Sequence, residues 1–352
     1  MMDGRVPCMA NVELGNVRVG GQAKPQTFSR PRGYWRNTAL AYLMILPAAV
    51  ILLTFSIGPV FYAFWMSLHR YGLRLTGPFV GLENYQRILT DDRFWNSLHV
   101  TFSYAFFTVP ITLALGLFIA YLLFQKIRFL SAYRTIFFLP YVTSLVAAAT
   151  VWATLFNPQS GVANKVLGWF GIPPQNWLLE PNGIFQLIAR SFGVTLPEWA
   201  AGPSLALVTI MIFVVWQRLG YDVVIFLAGL GNIPRELYDA AEIDGADRWQ
   251  LFRHITLPLL SPTTFFLIIL STIGALQAFT HIVTMNQAAN QPKGGPLDTT
   301  LTATVYLFKI FYGEVGRPDY SYASAVAFVL FFIILALTVL QRWLGRRYVH
   351  YS

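Results

Sequence analysis

The amino-acid sequence predicts an all-α integral membrane protein of six transmembrane helices, with both termini on the cytoplasmic side. Three observations carry that expectation. Of the 352 residues 55% are hydrophobic and 12% charged, about half the charged share of a soluble domain, and mean hydropathy is +0.52. Six apolar segments each provide the roughly 20 residues that a bilayer core requires. Lysine and arginine are divided unevenly between the segments that join them.

The first 38 residues contain Arg5, Arg18, Lys24, Arg30, Arg32 and Arg36 and no apolar core. A cleavable leader needs a short apolar region near its start, so 1–38 reads as a basic, mostly disordered cytoplasmic tail before a retained first span. The six-span domain covers 39–345, with spans at about 39–65, 98–124, 134–156, 204–229, 262–284 and 322–344. Pro47, Pro59, Pro110 and Pro140 fall within or near these spans, where neighbouring helices can satisfy the freed carbonyls. Residues 346–352 are a short cytoplasmic C-terminal tail.

Orientation follows from the basic residues. With the N-terminus inside, sixteen lie on the cytoplasmic face: the six in the tail, Lys126, Arg128, Arg134, Arg218, Arg235, Arg248, Arg253, Arg342, Arg346 and Arg347. The remaining nine are spread over three longer outer loops. Cytoplasmic loops carry the excess of Lys and Arg, so the bias predicts an N-in, C-in topology. In the outer loops GLENYQRIL (81–89) reads as a short surface helix, and GIFQLIARSFGV (183–194) as an interfacial helix too short to cross. Residues 285–300 read as a polar loop broken by Gly and Pro.

Composition narrows the function classes. A net charge of +9 would suggest nucleic acid in a soluble protein; here membrane topology accounts for it, and lipid is the expected neighbour. Cys8 is the only cysteine and the five histidines lack metal-ligand spacing, so neither an internal disulfide nor a Cys-based metal site is expected. No paired carboxylates, HExxH or Ser with His occur at usable spacing in the spans, which argues against a membrane enzyme. A secondary transporter would give no reason for the cytoplasmic loop that follows the fourth span.

That loop, 234–260, is the longest stretch resembling a soluble protein. Pro234 sits where a helix can start, Glu236 lies near its positive end, and Asp244-Gly245 ends it. Asp244 or Asp247 can cap a second helix, in which Trp249, Phe252 and Ile255 or Thr256 share one apolar face. Pro258 and Pro262 break it before the fifth span. Such a helix–glycine turn–helix suits a groove on another protein, or equally an aromatic surface resting on lipid headgroups.

The stretch DAAEIDGADRWQLFRHITLPLLSP resembles the EAA loop of permease subunits in binding-protein-dependent ABC importers, whose pattern is E-A-A-x-x-x-G, nine further residues, then I-x-L-P. Asp239, Ala240, Ala241, Asp244, Gly245, Ala246, Ile255, Leu257 and Pro258 fall in step, with Asp239 one methylene shorter than the family's usual Glu. FVGLENY, RTIFFLP, FNPQSGVAN, LAGLGNIPRELYDAA, Gly294-Gly295-Pro296 and YASAVAFVLF are similar to the carbohydrate-importer branch, the maltose and glycerol-phosphate type. The resemblance covers nearly everything after residue 35; about 183–202 looks like an insertion.

The resemblance implies a type I importer permease fold in a bacterial or archaeal plasma membrane. It implies a sugar as cargo, and as partners a second homologous permease subunit, two ATP-binding subunits and an extracytoplasmic solute-binding protein. Asp239, Ala240, Ala241, Asp244, Gly245, Ala246, Trp249, Phe252, Ile255, Leu257 and Pro258 would form the ATPase-coupling loop. No GxxxxGK[ST] phosphate cradle is present, so the chain is expected to bind no cofactor and to leave ATP and Mg to its partner. For sugar contact, Gln277 in the fifth span comes first, followed by Thr280, Asp222 and Tyr221, since a solute needs polar groups at mid-membrane. Gln277 and Thr280 could instead bond between helices, and Arg218 with Asp222 could pair along one helical face. Trp169, Trp177 and Trp199 could dock the binding protein or anchor to lipid. Glycerol phosphate, a polyamine or an amino acid would be the alternative cargo; a phosphorylated one should call for several basic residues within the spans, which offer only Arg218.

Overall fold

The computed structural model describes residues 34–71, 77–125 and 128–348; the expected disordered tail lies mostly outside the described residues. Those described are helical, with no strand among them and only two isolated bridges, His69 with Phe79 and Gly183 with Ser204. Residues up to Pro59 form one unit and those from Val60 a second.

In the first unit α1 (Tyr34–Leu52) passes into a π-turn at Leu53–Ile57. Pro59 has no amide hydrogen to donate to the preceding turn, and there the bonding widens so that Gly58 N–H reaches the Leu53 carbonyl. The helix resumes as α2 (Gly58–Ser67). In the second unit the short helix expected around GLENYQRIL is α3 (Glu83–Leu89).

The second unit is organised around two long apolar helices, α4 (Asp92–Phe124) and α9 (Leu205–Gly231), which pack along much of their length. Among the described residues four helices are long and apolar enough to cross a membrane unaided, and two bent helix pairs are long and apolar enough if each is one span. The expected third span, 134–156, is α5 (Leu130–Val142) and α6 (Leu145–Leu155), bent by 93°. Ser144 makes that break by capping α6, its hydroxyl accepting from Ala147 N. In the outer segment that follows, α7 (Val162–Trp169) precedes α8 (Ile184–Ser191). The expected insertion at 183–202 closes at its base, where Ile184 N bonds Pro203 O at 2.9 Å and Leu205 N bonds Asn182 O at 3.0 Å.

After α9 come α10 (Arg235–Ile243), α11 (Arg248–Leu251), a π-turn at Phe252–Thr256, and α12 (Leu257–Leu259). The fifth span differs from the sequence expectation. Its helix α13 (Ser261–Leu276) stops short of 284, and Phe279, at φ −140° and ψ −69°, redirects the chain into α14 (Thr280–Ala288). The break leaves the Ala278 carbonyl outside the helical ladder, and the hydroxyls of Thr302 and Thr304 donate to it at 2.9 and 2.5 Å. Those threonines open α15 (Ala303–Phe311), which is followed by α16 (Tyr320–Tyr348). The last helix therefore runs on through Arg346 into the expected C-terminal tail.

Close approach of α9 to its neighbours rests on small residues, as in membrane helices generally. A Cβ on Gly220 would lie 1.9 Å from the Phe137 carbonyl oxygen of α5, and one on Gly116 of α4 would lie 3.0 Å from Asp222 Cβ. Beside the Gly220 contact, Tyr221 stacks on Tyr141 with ring centres 5.0 Å apart. One apolar core gathers Tyr104, Phe213 and Tyr322; a second gathers Phe226, Leu230 and Leu260.

Asp91 ties the end of the bundle. It caps α4 by accepting from Arg93 N and Phe94 N at 3.0 and 3.3 Å, and it accepts the hydroxyls of Tyr306 on α15 and Tyr322 on α16. Burial pushes the carboxyl pKa up, but the two tyrosine bonds and the backbone amides outweigh it and hold the group below its ordinary 3.8. A depressed carboxylate contributes stability that is fully present above the unfolded value and is lost as pH falls through the folded one. Asp91→Asn should lower the thermal midpoint in detergent at pH 7, with the gap to wild type narrowing below about pH 4. Gly220→Ala should cost about 1–3 kcal/mol through overpacking, whereas Gly231→Ala, whose Cβ meets nothing within 4 Å, should be tolerated; thermal unfolding monitored by size exclusion separates the two.

Candidate functional site

Halfway along the bundle the packing opens. A cavity of about 160 Å³ lies between α4, α9, α13 and α14, and the two apolar cores flank its residues along each long helix. On α4 Tyr104, Thr108 and Thr112 repeat at four-residue spacing and so share a face. Thr108 donates to the Tyr104 carbonyl at 2.6 Å and Thr112 to the Thr108 carbonyl at 2.7 Å. Their hydrogens are thus committed to the helix, and each hydroxyl oxygen keeps lone pairs for an incoming donor. Across the cavity Tyr104 Oη and His281 Nε2 share a hydrogen bond of 2.8 Å.

From α9 come Gln217 and Arg218, and from α13 Ser271 and Gly274. Arg218 Nη2 donates to Ser271 Oγ at 3.4 Å, a long bond, while its Nε is buried without a partner. Gly274 makes room for the guanidinium, since a Cβ there would lie 2.8 Å from Nη1.

The four residues nominated from sequence lie elsewhere. Gln277 caps the C-terminus of α13 and is exposed, and Thr280 opens α14, also exposed. Tyr221 is engaged with Tyr141. Asp222 is fully buried against Gly116, and neither carboxylate oxygen has a hydrogen-bond partner. The Arg218–Asp222 pair weighed from the sequence does not form: among the described residues the ion pairs are Arg70–Glu83, Arg87–Asp319, Lys293–Glu314 and Lys309–Asp298. Reasoning from the fourth and fifth spans overlooked the α4 stripe, although the four-residue repeat Tyr104, Thr108, Thr112 stands in the sequence of the second span.

A second feature lies at the α9 C-terminus. The turn after α10 is a Schellman motif: Ala246 N bonds Ala241 O at 2.9 Å and Gly245 N bonds Glu242 O at 3.1 Å. Gly245 adopts φ +84°, a conformation that costs a glycine little. Of the two candidate caps, Asp247 serves α11, in a capping box with Gln250: Gln250 N to Asp247 Oδ1 is 2.7 Å and Asp247 N to Gln250 Oε1 is 2.8 Å. The aromatic face expected on this helix is divided. Phe252 packs edge-on against Tyr121 of α4 at 4.9 Å and Ile255 joins the core around Phe226. Trp249 remains 64% exposed, and Ile243, the last residue of α10, is 87% exposed. Tyr238 Oη and Thr256 Oγ1, 3.0 Å apart, tie α10 to the π-turn. Asp239, Ala240, Asp244 and Leu257 are exposed, whereas Ala241, Ala246 and Pro258 are half-buried.

Among the described residues, all-helical apart from turns and loops, four helices that can cross unaided and two bent pairs, with a cavity lined by polar side chains between them and a capped amphipathic turn after α9, define a multi-pass membrane transport component. The chain belongs to the family described as binding-protein-dependent transport system inner membrane component, whose profile matches residues 91–350, and is thus a permease of that family. It is 34% identical to the trehalose/maltose transport system permease protein MalF of Thermococcus litoralis over 89% of this chain and 95% of that one. With the lactose transport system permease protein LacF of Rhizobium radiobacter it shares 32% identity over 87% and 93%. The fold matches a chain from the crystal structure of a bacterial alginate ABC transporter in complex with an alginate pentasaccharide-bound periplasmic protein. The TM-score is 0.72 at 22% identity, covering 91% of this chain and 98% of that chain. Members of the family are transport components rather than enzymes.

With Cys8 replaced by serine, Thr112→Cys should react with a membrane-impermeant thiol reagent, because its side chain lines the cavity. Thr209→Cys, fully buried on α9, should remain unlabelled in the same preparation.

Proposed function

We propose that this chain is the membrane-spanning subunit of an ATP-driven importer that moves a sugar delivered by an extracytoplasmic solute-binding protein. The single observation that carries the coupling part is the helix–turn–helix after α9. Both helix ends at the turn are capped internally, yet Ile243 and Trp249 are left exposed on it, so it has the rigidity and the unfilled apolar surface of a docking element. Together with the excess of basic residues on the same loops, this supports an N-in, C-in topology in a bacterial or archaeal plasma membrane. In that topology the coupling loop of Asp239, Ala240, Ala241, Asp244, Gly245, Ala246, Trp249, Phe252, Ile255, Leu257 and Pro258 faces the cytoplasm. The partners are two ATP-binding subunits, which hold ATP and Mg, and a second homologous permease.

Force has a physical route in this reading. Closure of the ATPases displaces α10, which continues α9 after the short Asn232–Pro234 link, while Phe252 bears on Tyr121 of α4. The two helices that supply most of the cavity's polar groups are thus the two in contact with the lever, and a rigid-body shift of either alters access to the cavity. The cargo assignment draws on the relatives named for trehalose/maltose and lactose and on the cavity's hydroxyl, amide and guanidinium groups, which suit the hydroxyls of a sugar. The exposed Gln277 and Thr280, at the break after α13, remain proposed contacts on the surface that a second permease subunit would enclose. Asp222 and Tyr221 are the weaker proposals, since their present surroundings are helix packing.

In proteoliposomes holding the complete transporter, Ile243→Cys and Trp249→Cys should crosslink to the ATP-binding subunit from the inner side. Asp239→Ala should cut sugar uptake by about tenfold, the scale of one lost charge-assisted contact, while basal ATP hydrolysis persists. Labelling of Ile243→Cys from the outside alone would contradict the topology and the coupling role together.

A further inference from the structure

Arg218 is the middle residue of the 27-residue helix α9, about 20 Å from either end at 1.5 Å rise per residue. A charge at that depth is expensive and, inside membrane proteins, faces a cavity and finds a partner there. Here its partners are few. Five N–H donors are available, yet the guanidinium makes one long bond to Ser271 and leaves Nε buried and unpaired. Asp222, one turn along the same helix, does not take up this capacity. Its Cβ lies against Gly116 of α4, it does not line the cavity, and no hydrogen bond or close ion pair joins it to Arg218, although the two charges still act on one another at a distance. The other polar groups that line the cavity, Tyr104, Thr108, Thr112, Gln217 and His281, include no carboxylate to take up the free N–H donors.

We infer that Arg218 selects a solute carrying a carboxylate, so that the sugar moved through this cavity is an acidic one of the uronate class. The inference rests on the reading of the chain as a sugar importer and adds the charge of the cargo. A carboxylate is planar and singly charged, and it accepts two parallel N–H bonds from one guanidinium. A phosphate ester carries close to two negative charges and would leave one of them unbalanced against a single arginine. A wholly neutral sugar would offer those N–H groups only uncharged acceptors. Gly274 is part of the arrangement, since any side chain there would press on the guanidinium. The threonine oxygens of α4 remain to accept from the sugar's hydroxyls.

The test is uptake by the complete transporter in proteoliposomes at saturating binding protein. The probes are digalacturonate and dimannuronate, each beside its carboxyl-reduced neutral counterpart, with maltose as a further neutral sugar. Wild type should import at least one uronate disaccharide faster than its reduced form. Arg218→Gln should lower that uptake roughly ten- to hundredfold, the range for a lost bond to a charged group, and lower neutral-sugar uptake by a clearly smaller factor, so that the preference for uronate falls. Arg218→Lys should recover part of the uronate uptake, and Asp222→Asn should keep the preference for uronate. An equal loss for acidic and neutral sugars in Arg218→Gln would make Arg218 a structural residue and overturn the inference. Import of neutral sugars alone by wild type would overturn it while leaving the importer reading intact. Import of no sugar at all would remove both.

Discussion

A bilayer core supplies no hydrogen bonds, so polar groups at its centre persist only where other parts of the protein, water or a solute can answer them. The cavity between α4, α9, α13 and α14 is the place where this molecule meets that condition. Elsewhere in the spans the polar groups are mostly turned inward and satisfied: Thr101 and Thr209 donate to carbonyls four residues back, and the break after α13 is closed by Thr302 and Thr304 on the Ala278 carbonyl. Against that background the long bond of Arg218 to Ser271 and the lone pairs of the α4 threonines mark the cavity as a site with partners still to come.

Packing and function converge on α9. Gly220 lets it lie directly on the α5 backbone and Gly116 lets α4 close on it, which places Gln217 and Arg218 at the cavity wall. The same helix leads through Pro234 into the capped turn with its exposed tryptophan and isoleucine. In the proposed function, the solute site at the middle of α9 is followed, after the short Asn232–Pro234 link, by the docking element. The Schellman turn at Gly245 and the capping box of Asp247 and Gln250 keep the far end from absorbing motion by fraying.

Much of this was legible in the sequence, because the signals concerned are local. Apolar runs give the helices; Asp244-Gly245 gives the turn; and the spacing from Asp239 to Pro258 gives the family before any coordinates. What escaped is tertiary. The stop of the fifth helix at Leu276 is supported by Thr302 and Thr304, 24 and 26 residues beyond Ala278, which donate to its carbonyl. A continuous apolar pattern through 284 hid that break, and so placed Gln277 inside a span when it caps one. Arg218 and Asp222 stand four residues apart, the spacing of a helical ion pair, but in the packing of α9 against α4 and α13 the guanidinium lines the cavity while Asp222 lies with its Cβ against Gly116 and its oxygens unbonded. The α4 stripe went unread because threonine and tyrosine lower the hydropathy of a span very little.

The central claim is that the mid-bundle cavity is a solute path opened to one side at a time from the turn at the end of α9. The most direct measurement is the reactivity of a cysteine at Ser271, in a chain lacking Cys8, toward impermeant reagents added to either side of proteoliposomes holding the complete transporter. The account predicts labelling from the cytoplasmic side without nucleotide, and from the opposite side when ATP is held unhydrolysed with loaded binding protein present. Reactivity from the same side in both states would contradict it.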